Sequence, residues 1–270
     1  MEGSPENPSE IRLAVLIDAD NISYQNIRGM MEEIARYGNP TIKRIYGDWT
    51  RPNLSGWKNI LLDYAITPIQ QFGYTTGKNA TDSAMIIDAM DILYSERADG
   101  FCLVSSDSDF TRLATRLREA GMMVYGIGEQ KTPNAFIAAC DRFIYLEILG
   151  ETTHDEAETA ESAAGAPEQK PAKQQTQTKK KTIKKIGTEV IKLISSTISD
   201  LEDENGWAYL GEVGSLLLKK QPSFDSRNYG FEKLTPMIKS MGIYEIDVRE
   251  TGHSSSKHIY IRIKAKAGAL

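Results

Sequence analysis

The chain has 270 residues, 40% of them apolar, which is enough for one large or two ordinary hydrophobic cores. Two cysteines and three histidines leave no disulfide framework and no Cys/His zinc site to read. The formal net charge of −5 is unevenly spread, with 14 Lys+Arg against 20 Asp+Glu in residues 1–150, six acids and no Lys or Arg in residues 151–169, and 18 basic against 11 acidic residues from 170 to 270.

Taken from the start, Met1–Pro8 has neither the basic nor the apolar stretch of a signal peptide. No apolar run approaches the roughly 20 residues that span a bilayer. A cytoplasmic protein is expected. From Ile11 to about Leu149, short β-branched runs alternate with helix-period stretches. Arg12–Ile17, Thr41–Tyr46, Thr67–Phe72, Phe101–Ser105 and Met122–Ile127 read as strands, several of them apolar throughout. Ile22–Tyr37, Gly56–Ala65, Asp82–Arg97, Asp107–Ala120 and Asn134–Ala139 carry the helical period. Continuous apolar strands separated by helices predict an α/β domain, a parallel sheet covered on both faces. Cys102, inside Phe101-Cys102-Leu103-Val104, reads as a buried thiol.

Over 150–182 the composition turns to Ala, Glu, Gln, Lys, Thr and Pro. Such a segment cannot bury enough surface to offset the entropy of ordering, so it reads as a flexible linker. From Ile183, three helical stretches follow: Ile186 to Leu201, Leu210–Lys220 and about Phe231–Met241. Two alternating runs, Tyr244–Val248 and Ile259–Ile263, then flank the turn Gly252–Ser256. Three helices and a hairpin predict a small winged helix-turn-helix over 183–264. An acidic half joined to this basic one suits an acidic pocket beside a module that grips a polyanion.

The chemistry concentrates in five aspartates. Asp18 and Asp20 follow the first buried strand, and Asp107 and Asp109 follow another, in Ser105-Ser106-Asp107-Ser108-Asp109. Open α/β sheets hold their ligand crevice outside the carboxyl ends of strands, so two strands deliver acid pairs to one rim. Asp82 adds a third acidic position at a helix start. Taken singly, Asp82 and Asp107 read equally well as helix caps; together the acids repel unless a cation neutralises them. An oxygen-only donor set suits Mg²⁺ or Mn²⁺. Asp88 and Asp91 read as surface or packing residues. His154, His253 and His258 all fall outside the acidic domain, against histidine-based catalysis.

The run Leu16-Ile17-Asp18-Ala19-Asp20-Asn21, the Lys78-x-x-x-Asp82 helix start, Ser105 to Phe110, and Gly126-x-Gly128 before Cys140-Asp141-Arg142-Phe143-Ile144 together resemble the NYN domain, related to the PIN nucleases. The resemblance covers about 11–149. It implies a Rossmann-like sheet, an acidic Mg²⁺- or Mn²⁺-binding pocket, and RNA cleavage. Asp18, Asp82 and Asp107 would then be the core metal ligands, Asp20 or Asp109 would complete the catalytic shell, and Asn21, Lys78 and Ser105 would orient ligand or substrate. Over 183–264, Trp207-Ala-Tyr-Leu210-Gly-Glu-Val213-Gly214 and the following Lys219-x-x-Pro222-x-Phe224-Asp225-x-Arg227-x-Tyr229-Gly230-Phe231-x-Lys233 resemble the LOTUS or OST-HTH domain. That implies binding of RNA or of a protein partner, with Lys219, Arg227 and Lys233 on a phosphate-tracking face. Phe224 and Tyr229 fit the core or base stacking equally well. A metal-dependent ribonuclease is the function expected. An RNA-processing adaptor with a weak or silent pocket stays open, as does a phosphatase of the haloacid dehalogenase type, which shares Asp-x-Asp but not the Asn21-Ile22-Ser23 that follows here.

Overall fold

The computed structural model describes residues 10–72, 80–149, 183–250 and 257–264. In the first domain β1 (Arg12–Asp18), α1 (Ile27–Ile34), β2 (Asn39–Gly47), α2 (Trp57–Asp63), β3 (Thr67–Gln70), α3 (Ala80–Tyr94), β4 (Gly100–Val104), α4 (Thr111–Glu119), β5 (Met123–Gly128), α5 (Asn134–Ala139) and β6 (Arg142–Tyr145) follow one another. The six strands are parallel, in the order β3-β2-β1-β4-β5-β6. Alternation along β1 explains the layering. Leu13, Val15 and Ile17 enter a core with Met30 and Ile34 of α1 and Trp57 of α2. Ala14 and Leu16 enter the opposite core, with Met85 of α3, Leu113 of α4 and Phe136 of α5. The chain winds outward from β1 to β3 and then returns to β4 on the other side of β1. The order therefore reverses between β1 and β4, which places the crevice expected of such sheets at the ends of those two strands.

The stretches expected as helices over Ile22–Tyr37 and Asp107–Ala120 each begin as a tight 3₁₀ turn, Tyr24–Asn26 and Ser108–Phe110. Ser23 and Asp107 cap these turns by accepting the backbone amides of Gln25 and Asp109. β6 is an addition, since only its membership of the quoted Cys140–Ile144 run marked it in the sequence. Cys102 and Cys140 are buried, and burial pushes the Cys140 thiol up to about 12.

The second domain holds α6 (Thr188–Ser199), β7 (Ala208–Tyr209), α7 (Leu210–Lys220), α8 (Leu234–Met241), β8 (Tyr244–Glu250) and β9 (Lys257–Ile263). Its sheet is antiparallel in the order β7-β9-β8. This is a winged-helix arrangement around Ile194, Val213, Leu217, Met237 and Ile261. Phe224 is buried in that core and Tyr229 packs against it, so packing is the role the fold gives both rings. Gly242, in the left-handed region at φ 71°, ends α8. The expected linker over 150–182 and the turn Gly252–Ser256 lie outside the described residues.

The domains touch directly. Arg227 spans the junction as a fork, donating to both Glu33 oxygens of α1 at 2.8 and 2.7 Å and to both Asp225 oxygens at 3.0 and 2.7 Å. Tyr37 donates to Glu33 Oε1 at 2.6 Å, and the Phe143 amide of β6 donates to the Pro222 carbonyl at 2.9 Å. Burial pushes the Glu33 carboxyl up, but hydrogen bonds from Arg227 and Tyr37 outweigh it and hold the group below its ordinary value.

Candidate active site at the acidic rim

Asp18 ends β1, and the alternation that turns Ala14 and Leu16 toward α3 turns Asp18 the same way. The residue is 1% exposed and survives there because both carboxylate oxygens accept hydrogen bonds. Asn21 Nδ2 at 2.6 Å and Ser105 Oγ at 2.8 Å donate to one oxygen, and the Asp20 amide donates to the other at 3.1 Å. Burial raises the Asp18 pKa above the ordinary carboxylate value, with these hydrogen bonds opposing the rise. The Ser105 hydroxyl also accepts the Asp107 amide at 3.0 Å, so it ties the loop after β1 to the loop after β4.

Asp107 caps the turn that opens toward α4, its Oδ1 accepting the Asp109 amide at 2.9 Å. Asp82 arrives from the first turn of α3. That helix is anchored farther along by Asp88, whose carboxylate accepts from Arg44 and Tyr46 of β2. Tyr46 is itself the register partner of Asp18, so the anchor and the acid share one level of the sheet. Carboxylate oxygens of Asp82, Asp107 and Asp109 all lie within 4.8 Å of one another. Burial, and then the charges of Asp18, Asp107, Asp109 and Asp20, push the Asp82 carboxyl up to about 6. Four aspartates thus act on the fifth. Oxygen donors this close, with so little positive charge among them, suit a hard divalent cation.

Asp82, Asp107 and Asp109 converge, with Asp18 beneath them and Asp20, exposed, held by a 3.3 Å hydrogen bond from the Thr81 hydroxyl. Thr81 went unnoticed in the sequence, where only its place before Asp82 marks it. Asn21 and Ser105 both bind Asp18. Ser105 is 0% exposed, so its expected contact with substrate gives way to a role in orienting that carboxylate. Lys78 lies outside the described residues. Lys219 and Lys233 are exposed on the second domain. Arg227 departs from the expectation of an open phosphate-tracking face, because Glu33 and Asp225 take up its guanidinium.

The raised Asp82 pKa has a measurable consequence for the metal-free protein. A carboxyl whose folded pKa exceeds its unfolded value costs no stability where it is protonated in both states. Its cost grows as pH rises from the unfolded value near about 4 through the folded value near 6. Asp82→Asn removes that cost. In EDTA, the Tm of Asp82→Asn should match wild type at pH 4 and exceed it at pH 7; a gap that does not open with pH would contradict the crowding of charge.

Comparison with known proteins agrees with this picture. The NYN domain model matches residues 12–147, and the OST-HTH/LOTUS domain model matches residues 181–256. A Vibrio parahaemolyticus protein of unknown function is a similar solved structure, 19% identical with a TM-score of 0.42, covering 51% of this chain and 94% of its own. An uncharacterized Nitrosomonas europaea protein is 28% identical with a TM-score of 0.27, covering 44% and 98%. A Chromobacterium violaceum fragment is 33% identical with a TM-score of 0.25, covering 29% and 84%. No curated protein matches. Among the described residues, no helix is long and apolar enough to cross a membrane. With the acidic rim where the sheet order reverses and the family model spanning half the sequence, the chain belongs to the NYN family, whose domain is a PIN-like nuclease fold, and carries a C-terminal OST-HTH/LOTUS domain.

Proposed function

We propose that the protein is a metal-dependent ribonuclease, hydrolysing RNA phosphodiester bonds at the acidic rim. The observation that carries this reading is the convergence of Asp82, Asp107 and Asp109 over the buried Asp18. The oxygen-only donor set fits Mg²⁺ or Mn²⁺, held by Asp18, Asp82 and Asp107, with Asp109 or Asp20 completing the shell. A bound ion of this kind supplies positive charge at the phosphate being cleaved and water of lowered pKa. The chain's own groups do the rest. Asn21 and Ser105 fix the orientation of the Asp18 carboxylate, and the Asp109 amide fixes that of Asp107. Of the exposed Asp20 and Asp109, the one not on the ion would accept a proton from an attacking water. Lys219 and Lys233 on the winged helix supply phosphate contacts.

Incubating the full chain with labelled single-stranded and duplex RNA in Mn²⁺, Mg²⁺ or EDTA tests the reading. Cleavage is expected with either ion and none in EDTA. Calorimetry should show Mn²⁺ binding that Asp18→Asn abolishes. Intact RNA under every condition, with binding retained, would make the protein an adaptor instead. Phosphate release from monoesters through an aspartyl-phosphate would make it a phosphatase.

A further inference from the structure

On the α2 face of the sheet, at its carboxyl edge, lies a cavity of about 610 Å³, within the range of small-molecule clefts, roughly 300–1,000 Å³. Its apolar lining includes Trp49, Pro52, Leu54 and Leu61, and two cations, Arg51 and Lys58, stand among its polar residues. Trp49 is held from both ends, its amide donating to Gln70 Oε1 and its indole Nε1 to the Ile69 carbonyl, each at 3.0 Å. The ring is thus a partly buried, preset wall.

The position of this cavity gives it meaning. It forms just past the carboxyl end of β2, the strand that pairs with β1 where Asp18 meets Tyr46. The Ala19 amide continues that pairing, donating to the Tyr46 carbonyl at 3.0 Å. Gly47 lets the two regions close up, since a Cβ there would stand 2.7 Å from Leu54 Cδ1 and 3.1 Å from Ala19 Cβ. Leu54 of the cavity wall and Ala19, the residue between Asp18 and Asp20, thus share the core on the α1–α2 face, while Asp18 turns to the other face of the sheet.

Arg51 and Lys58 are both exposed; Arg51 has a 3.4 Å pair with Asp48, and Lys58 has no ion pair among the described residues. An apolar slot walled by a fixed indole and flanked by cations is the chemistry that receives a nucleobase with its phosphate. A stacked, paired base could not enter it. The geometry points to a subsite for one unpaired nucleotide of the RNA strand, with the base against Trp49 and the phosphate on Arg51 and Lys58, reached over the carboxyl edge of the sheet from the acids. This rests on the ribonuclease reading and deepens it: the RNA is unpaired at the nucleotide that the slot receives.

The full chain in EDTA, titrated with a trinucleotide RNA, tests the subsite without any cleavage. The indole ¹H–¹⁵N resonance of Trp49 should shift saturably, and a duplex of the same composition should leave it in place. A trinucleotide with its central base removed should bind about tenfold more weakly, the scale of one base–aromatic stack. Arg51→Ala with Lys58→Ala should weaken binding and flatten its salt dependence. Ser55→Trp, which fills the slot from an exposed position and spares the core, should abolish the shift. A Trp49 resonance unmoved by RNA, or a Ser55→Trp protein cleaving single-stranded RNA with wild-type KM, would overturn the subsite and leave the nuclease standing. A saturable Trp49 shift in a protein that cleaves nothing in Mn²⁺ would keep the subsite and remove the nuclease.

Discussion

Asp107→Asn should abolish RNA cleavage, lowering the rate by about 10³-fold or more, and leave RNA affinity in EDTA unchanged. The substitution is informative because it separates two jobs of one side chain. As a cap, Asp107 accepts the Asp109 amide, and asparagine caps a turn as well as aspartate does. As a member of the acidic cluster, it offers an anionic oxygen within 4.8 Å of Asp82 and Asp109, which an amide cannot supply. The fold should therefore persist, with Tm at or above wild type at pH 7, since one like charge has left a crowded group. RNA retained by the winged helix should be held equally well by both proteins. If Asp107→Asn cleaves at the wild-type rate, the chemistry resides elsewhere and the acids are only caps.

Arg227→Ala should cost about 2–4 kcal/mol of stability, a large share of what a domain of this size holds. The loss is not the value of a surface ion pair. Glu33 is 3% exposed, and removing the fork that binds both its oxygens strands a carboxylate in a poorly solvated place. Tyr37 and Arg36 remain on Glu33 and keep the figure below the extreme for an unpaired buried charge. Arg227→Lys should recover only part of it, because an ammonium cannot match two oxygens at once. The sign with pH is fixed by the lowered Glu33 pKa. The stabilisation is complete above the unfolded value, near about 4, and disappears as pH falls through the lower folded value. Denaturant melts of wild type and Arg227→Ala should accordingly converge in acid. A difference below about 0.5 kcal/mol at pH 7 would mean that the domains are merely tethered.

The sheet was readable because its central strands are apolar almost without interruption; the β4 run Gly100–Val104 is buried at every position. The acids were readable for a related reason: charges directly after such strands have few structural explanations. Which of them converge was not. Asp109 joins Asp82 and Asp107 through a tight turn whose geometry no periodicity announces. Ser105 and Thr81 act by orienting carboxylates, and a hydroxyl in a loop carries no mark of its partner. Arg227 shows the limit most plainly. A basic residue in a basic domain reads as a phosphate contact until its partner, 194 residues away, is brought against it. β7, at two residues, is shorter than any hydrophobic pattern can register.

The hydrogen bond from Phe143 to Pro222 bears on how the protein behaves in a crowded solution. β6 is the outermost strand on its side of the parallel sheet, and its outward amides are a template onto which another chain could add a strand. The winged helix occupies that template with a carbonyl from the very segment where proline, lacking an amide, cannot extend a ladder any further. The module thus terminates the sheet as well as extending the protein's reach. A fragment cut back to the first domain would keep every aspartate of the rim and lose its guard, so weak activity in such a fragment would report self-association before it reported chemistry.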